Sequence, residues 1–171
     1  MPFSALDHIG LTVSDMDRSI AFYTLLLGEE PMFRESWHDI EYVGRVVGYP
    51  GVKMDGAFFR LPGGMMLELL QYYYPEPGRL DMETYNIGNA HLCLVTADMA
   101  ADFARLSGHC SFQSTEPVRV PWGPYKGGAL AYLRDPDGIS IELLELPADG
   151  PAPGTDVGEA YVERVATSGR E

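Results

Sequence analysis

Two unrelated sequence patterns each occur twice, in the same order, and this duplication constrains the fold more than any other feature of the chain. Residues 8–16, HIGLTVSDM, and residues 91–99, HLCLVTADM, share His-x-x-Leu-x-x-x-Asp-Met, which pairs His8 with His91, Leu11 with Leu94, Asp15 with Asp98 and Met16 with Met99. Farther along, residues 62–70, PGGMMLELL, and 136–144, PDGISIELL, share Pro-x-Gly-x-x-x-Glu-Leu-Leu, pairing Glu68 with Glu142. One short match arises by chance easily. Two different ones in register point to a duplicated module.

Each half then reads alike. Residues 6–13, LDHIGLTV, are short, apolar and partly β-branched, as a strand requires. Asp15 is placed to cap the run that follows, where Ile20, Tyr23, Leu26 and Leu27 recur at helical spacing until Gly28. In the second half, 90–95 is the strand, Asp98 the cap, and Phe103 and Leu106 the inward residues of a helix stopped at Gly108. Three strand-like runs separated by Gly and Pro follow each helix: 30–34, 55–61 and 65–72 in the first half, and 111–114 or 117–120, 129–134 and 140–146 in the second. The expected class is α+β, with two βαβββ modules over 1–72 and 90–146, a linker at 73–89 and an acidic, flexible tail at 147–171. A short helix is expected at 161–165. The stretch 37–54 is longer than a hairpin loop and rich in aromatic and charged residues, a length that marks either a functional loop or disorder.

Composition narrows the partners. With 171 residues and 46% hydrophobic content, the chain has enough apolar material for a core. Its 25 acidic residues against 12 basic ones give a formal charge of −13, a field that repels nucleic acid and anionic lipid. The tail contributes only five acidic residues against two arginines, so the body is acidic in its own right. Two cysteines, Cys93 and Cys110, are too few for a disulfide scaffold and form no Cys-x-x-Cys pair. No basic leader and no long apolar run precedes or interrupts the modules. The expectation is a cytoplasmic protein acting on a small molecule, without nucleic-acid or membrane partners.

The repeated His and Glu carry the chemistry. Both histidines lie in the opening strand of a module and both glutamates in the closing one, so pairing of the modules about a pseudo-two-fold axis would gather two imidazoles and two carboxylates. His8, Glu68, His91 and Glu142 outline a site for one divalent ion, Ni, Co, Zn, Mn or Fe, with water or substrate oxygens completing the shell. A single strand histidine is ordinarily a surface residue, and Glu68 alone could face solvent; the recurrence of both residue types argues for ligands. His38 and His109 lack repeat partners and read as surface residues. Cys93, two residues after His91, shares its sheet face and could line a cavity there, but reads rather as a buried structural thiol; Gly63-Gly64 and Gly127-Gly128 read as turns, because neither pair joins a strand to a helix as a phosphate loop would. Tyr72–Tyr74, Trp37 and Trp122 would form an apolar substrate wall or close the core.

These residues, with LDHIGLTVSDMDRSIAFYTLLLG, MLELL, NIGNAHLCLV and AYLRDPDGISIELLE, resemble the vicinal oxygen chelate superfamily, also called the glyoxalase/bleomycin resistance protein/dioxygenase fold, over about residues 5–146. The resemblance implies a half-open mixed β-barrel around a metal held by His8, Glu68, His91 and Glu142, a ligand set most similar to that of bacterial glyoxalase I. It also implies proton-transfer isomerisation, epimerisation or glyoxalase-type lyase chemistry on a small oxygenated carbonyl compound, with Glu142 or Glu68 as base, and a homodimer is expected.

Two positions depart from glyoxalase I. Its arginine for the glutathione carboxylate corresponds to Thr12, and its asparagine four residues past the second ligand corresponds to Tyr72. Glu35, Glu41, Arg45 and Lys53, in and beside the 37–54 stretch, are candidate substrate determinants. The alternatives are a metal-free antibiotic-sequestering protein, and an iron-dependent extradiol-type dioxygenase in which Glu68 is a spectator.

Overall fold

The computed structural model describes residues 2, 4–148 and 150; the expected helix at 161–165 and nearly all of the acidic tail lie outside them. The chain divides into two compact units, Met1–Asp81 and Met82–Glu171. In the first, β1 (His8–Thr12), α1 (Met16–Leu27), β2 (Phe33–His38), α2 (Glu41–Val47), β3 (Lys53–Arg60) and β4 (Met66–Tyr74) build a four-stranded sheet in the order β1-β4-β3-β2. The second unit repeats the plan with β5 (His91–Thr96), α3 (Met99–Leu106), β6 (Ser111–Phe112), β7 (Val118–Arg119), β8 (Ala129–Arg134) and β9 (Ser140–Glu145). Its sheet runs β5-β9-β8-β6, and β7 also pairs with β8. Both runs offered as the second strand of this module therefore form, each only two residues long.

Local rules explain the helices. Asp15 is extended and its carboxylate accepts from the Arg18 N–H at 2.9 Å, while Gly28 ends α1 in the left-handed conformation at φ 75°. Asp98 caps α3 in the same way through Ala101 N–H at 2.9 Å. A second device recurs in both units: the Met16 N–H donates to Gln71 Oε1 at 2.7 Å, and the Met99 N–H to Glu145 Oε1 at 3.1 Å. Gln71 and Glu145 each stand three residues beyond the repeated glutamate, so each closing strand ties down a first-turn donor that the helix cannot satisfy itself. The buried face of α1 is Met16, Ser19, Phe22, Tyr23 and Leu26; the predicted Ile20 and Leu27 are only partly buried, flanking that stripe. In α3, Leu106 is buried as expected and Phe103 packs on Phe112 with ring centroids 4.1 Å apart.

Alternation along the strands gives each sheet two distinct faces. In the first unit Leu67, Leu69, Ala57 and Phe59 are buried on the side of α1, where Tyr23 lies against Phe59. At the end of that face Asp55 accepts from the Tyr73 hydroxyl at 2.9 Å and lies 3.1 Å from His38 Nε2. On the opposite face Phe33 stacks on Phe58, and the Trp37 ring lies edge-on to Phe58. The Trp37 ring also covers Gly56, where a Cβ would come within 2.5 Å of it. The 37–54 stretch is thus no open loop: it holds α2, whose Val43 packs with Val52, Met54, Trp37, Leu70 and Tyr72.

Arg134 explains the unit boundary, because its guanidinium bonds the Met82 and Gly138 carbonyls and pairs with Glu83 at 3.1 Å, which anchors the start of the second unit. Neither sheet closes on itself, and no helix among the described residues is long and apolar enough to cross a membrane.

Gly56→Ala should destabilise the protein by about 1–3 kcal/mol by driving the indole of Trp37 off the sheet; urea unfolding followed by tryptophan fluorescence measures it. Burial by itself would raise the Asp55 carboxyl, but hydrogen bonds from Ser36, Tyr73 and His38 outweigh it and hold the group below its ordinary value. That stabilisation is present above the ordinary carboxylate range and is lost as pH falls through the lowered folded pKa. Asp55→Asn should therefore cost about 1 kcal/mol at pH 7, with the difference from the unsubstituted protein vanishing in strong acid. An equal cost at both pH values would exclude this account.

Candidate metal centre

Parallel pairing of the first and last strands of each unit sets the candidate site. In the first unit β1 pairs with β4 so that His8 is opposite Met66 and Gly10 opposite Glu68. In the second, β5 pairs with β9 with His91 opposite Ser140 and Cys93 opposite Glu142. The registers are the same, so each histidine is diagonal to its glutamate on one sheet face. His8 Nε2 lies 3.4 Å from Glu68 Oε2, and His91 Nε2 lies 3.0 Å from Glu142 Oε2. The structure thus brings the four predicted ligands together two by two, one pair in each unit. Among the described residues no group of three or more His, Cys, Asp and Glu side chains forms a metal site by itself.

Both pairs have the chemistry a divalent ion needs. His8 Nδ1 lies 2.8 Å from Asp7 Oδ2, and in the tautomer that donates to this carboxylate the Nε2 lone pair is left directed toward Glu68. That hydrogen bond raises the His8 pKa; desolvation opposes it and the charge of Glu68 adds to it. Desolvation raises the Glu68 carboxyl above its ordinary value, the charge of His8 offsetting only part of the effect. A carboxylate in that setting gains from a cation. Gly10 leaves space there, because a Cβ at that position would stand 3.3 Å from Glu68 Oε2. In each unit the donors, one imidazole nitrogen and one carboxylate, are of the kind that suits a borderline first-row ion.

One residue of the site escaped sequence reasoning. Tyr132, directly opposite Glu142 on β8, donates its hydroxyl hydrogen to Glu142 Oε2 at 2.7 Å and sets its oxygen 3.2 Å from His91 Nε2. Desolvation, then the hydrogen bond and charge of Glu142, push its pKa above the ordinary phenol value, so it remains a donor. The available signal was positional: Tyr132 lies ten residues before Glu142, as Phe58 lies ten before Glu68.

The remaining candidates are dispersed. Cys93 is exposed on the ligand face opposite Glu142. His38 is engaged by Asp55 on the helix side of its sheet, and His109 is exposed. Tyr72 shares the face of Glu68 and packs under α2, whereas Tyr73 points to the other face and Trp122 is exposed. Glu35 lies on the ligand face of β2, Glu41 and Arg45 lie in α2, and Lys53 pairs with Asp39 at 3.3 Å. Gly63, Gly64 and Gly127 all have positive φ, as turn glycines should.

The family model of the Glyoxalase/Bleomycin resistance protein/Dioxygenase superfamily matches residues 5–143. A lactoylglutathione lyase of Salmonella typhimurium is 32% identical over 142 residues, spanning 81% of this chain and 90% of its own. A 2-epi-5-epi-valiolone epimerase of an Actinomyces species is 27% identical over 161 residues, spanning 86% and 82%. Among solved structures, a glyoxalase family protein from Bacillus cereus superposes with a TM-score of 0.68 at 23% identity, over 84% of this chain and 94% of that one. The duplicated strand–helix–sheet units, their repeated His/Glu pairs and these matches together establish that the chain belongs to the glyoxalase/bleomycin resistance protein/dioxygenase superfamily.

Proposed function

We propose that the protein is a divalent-metal-dependent enzyme that moves a carbon-bound proton on a small oxygenated carbonyl compound, in isomerisation, epimerisation or glyoxalase-type lyase chemistry. The observation that carries this reading is the repeated placement of a histidine Nε2 beside a glutamate Oε2 in each unit, at 3.4 and 3.0 Å. Similarity to both a lactoylglutathione lyase and a valiolone epimerase supports the reaction class.

In this reading His8, Glu68, His91 and Glu142 would hold one cation, which would supply Lewis acidity to a substrate carbonyl and so acidify the neighbouring C–H. One glutamate carboxylate would take that proton and deliver it to the adjacent carbon, or, in epimerisation, the second glutamate would deliver a proton to the opposite face of the same carbon. The desolvation that raises Glu68 makes it a stronger base than a solvated carboxylate. Phe33, Phe58 and Trp37 line the same sheet face as Glu68 and present an apolar wall to the substrate body. Thr12, with no charge, and Tyr72, engaged in the α2 cluster, stand where glyoxalase I positions glutathione. Those two glutathione anchors of glyoxalase I are therefore missing at these positions. A homodimer in the cytoplasm completes the proposal.

Protein purified without added metal should carry nickel, cobalt, zinc, manganese or iron by elemental analysis. His8→Ala and His91→Ala should each weaken binding by about 100-fold or more, beyond the loss typical of an outer-shell partner. Incubated in D2O with a panel of hydroxyketones, the loaded protein should exchange the C–H next to the carbonyl. Metal-free protein with no affinity for these ions would support sequestration instead. Oxygen-sensitive iron with ring cleavage of catechols would support the dioxygenase.

A further inference from the structure

The duplication extends to an arginine. Arg60 and Arg134 each stand eight residues before the repeated glutamate and each ends its strand, opposite Met66 and Ser140 respectively. Their surroundings differ. The Arg134 guanidinium bonds the Met82 and Gly138 carbonyls and pairs with Glu83, so its donors are spent within its own unit. Arg60 is exposed and, among the described residues, has no hydrogen-bond or ion-pair partner. Other exposed cations of the same sheet do find carboxylates: Arg34 pairs with Asp17 at 2.9 Å and Lys53 with Asp39 at 3.3 Å. In a chain of 25 acidic and 12 basic residues, Arg60 is left with its charge uncommitted.

Its place on the sheet gives that charge a use. Alternation along β3 sets Arg60 on the face of Phe58, which is also the face of His8 and Glu68. His8, Met66 and Arg60 form one row across β1, β4 and β3, so His8 and Arg60 are two strand spacings apart, about 10 Å between Cα atoms. Arg60 is diagonal to Glu68, roughly 7–8 Å away and within the span of a long side chain. The α2 cluster packs on the other end of this face, against Leu70 and Tyr72, and Phe33, stacked on Phe58 with centroids 4.4 Å apart, adds an apolar surface beside the row. Arg60 is the one arginine among the strand residues of the face. We propose that Arg60 binds an anionic group of the substrate, a carboxylate or a phosphate carried a few atoms from the carbonyl that reacts beside His8 and Glu68. A planar guanidinium offers either group two parallel N–H donors. With a formal charge of −13 repelling anions at a distance, a local fixed cation is what admits one. The proposal rests on the reading above for the reacting centre, and it uses the first unit alone.

The test is calorimetric titration of the full chain, Ni2+-loaded and metal-free, with three hydroxyketones: dihydroxyacetone phosphate, 5-hydroxy-4-oxopentanoate and the neutral dihydroxyacetone. At least one of the two anionic compounds should bind more tightly than the neutral one in both forms of the protein, and which of them does so identifies the group as phosphate or carboxylate. Arg60→Gln should weaken binding of that compound by about 10- to 100-fold, the worth of hydrogen bonds to a charged group, and leave dihydroxyacetone unaffected. Arg60→Lys, a point charge without the planar fork, should recover only part of the loss. Arg34→Gln, which removes an equal charge from the other face, should change nothing, and thermal unfolding of each variant controls for fold. A wild-type protein without preference for either anion, or a preference that survives in Arg60→Gln, would overturn the proposal while leaving the metal-dependent reading intact. Anion binding through Arg60 in a protein with no affinity for Ni2+, Co2+ or Zn2+ would keep the anion site and discard the metal-dependent reading.

Discussion

The parallel pairing of opening and closing strands governs what this protein can do. Because side chains alternate sides along a strand, a slip of one residue between β1 and β4 would turn Glu68 to the helix side of the sheet and bring Leu67 or Leu69 to the site. Burial prevents the slip. Leu67 and Leu69 are wholly buried beneath α1, and Ile141 and Leu143 are buried in the second unit, so a shift would expose apolar surface in either sheet. The hydrophobic faces thus hold the polar faces in place, and the His/Glu diagonals follow.

The helices are tied into the same arrangement. Gln71 and Glu145 lie on the helix sides of the strands that carry Glu68 and Glu142, and each accepts a first-turn N–H from its helix. One strand therefore presents a candidate ligand to one side and a helix anchor to the other, three residues apart. Duplication preserved this logic even where the residue types differ.

Duplication also permits divergence between the halves. The positions that match in register, Phe58 and Tyr132 or Gly10 and Cys93, give the two carboxylates different neighbours, and Tyr132 donates a hydrogen bond to Glu142.

The repeats, the α+β class, both aspartate caps and the glycine stop of α1 were legible in the sequence, because each is a local matter of spacing, backbone conformation or a side chain reaching its own neighbours. The His and Glu candidates were legible for a different reason: polar residues that recur in two apolar strand patterns need an explanation beyond chance. What lay beyond the sequence was whatever depends on lateral registry. The helix within 37–54 forms because Val43 finds Val52, Met54 and Tyr72 across the sheet face, and the second strand of the later module splits because β6 and β7 each meet a different stretch of β8. Tyr132 belongs to this group as well. Nothing in its own neighbourhood along the chain marks it, and it acquires a role only when an antiparallel pairing sets its hydroxyl against Glu142. Sequence alone determined which residue types were available at each strand position; the tertiary structure decided which of them face one another, because that depends on contacts between segments distant along the chain.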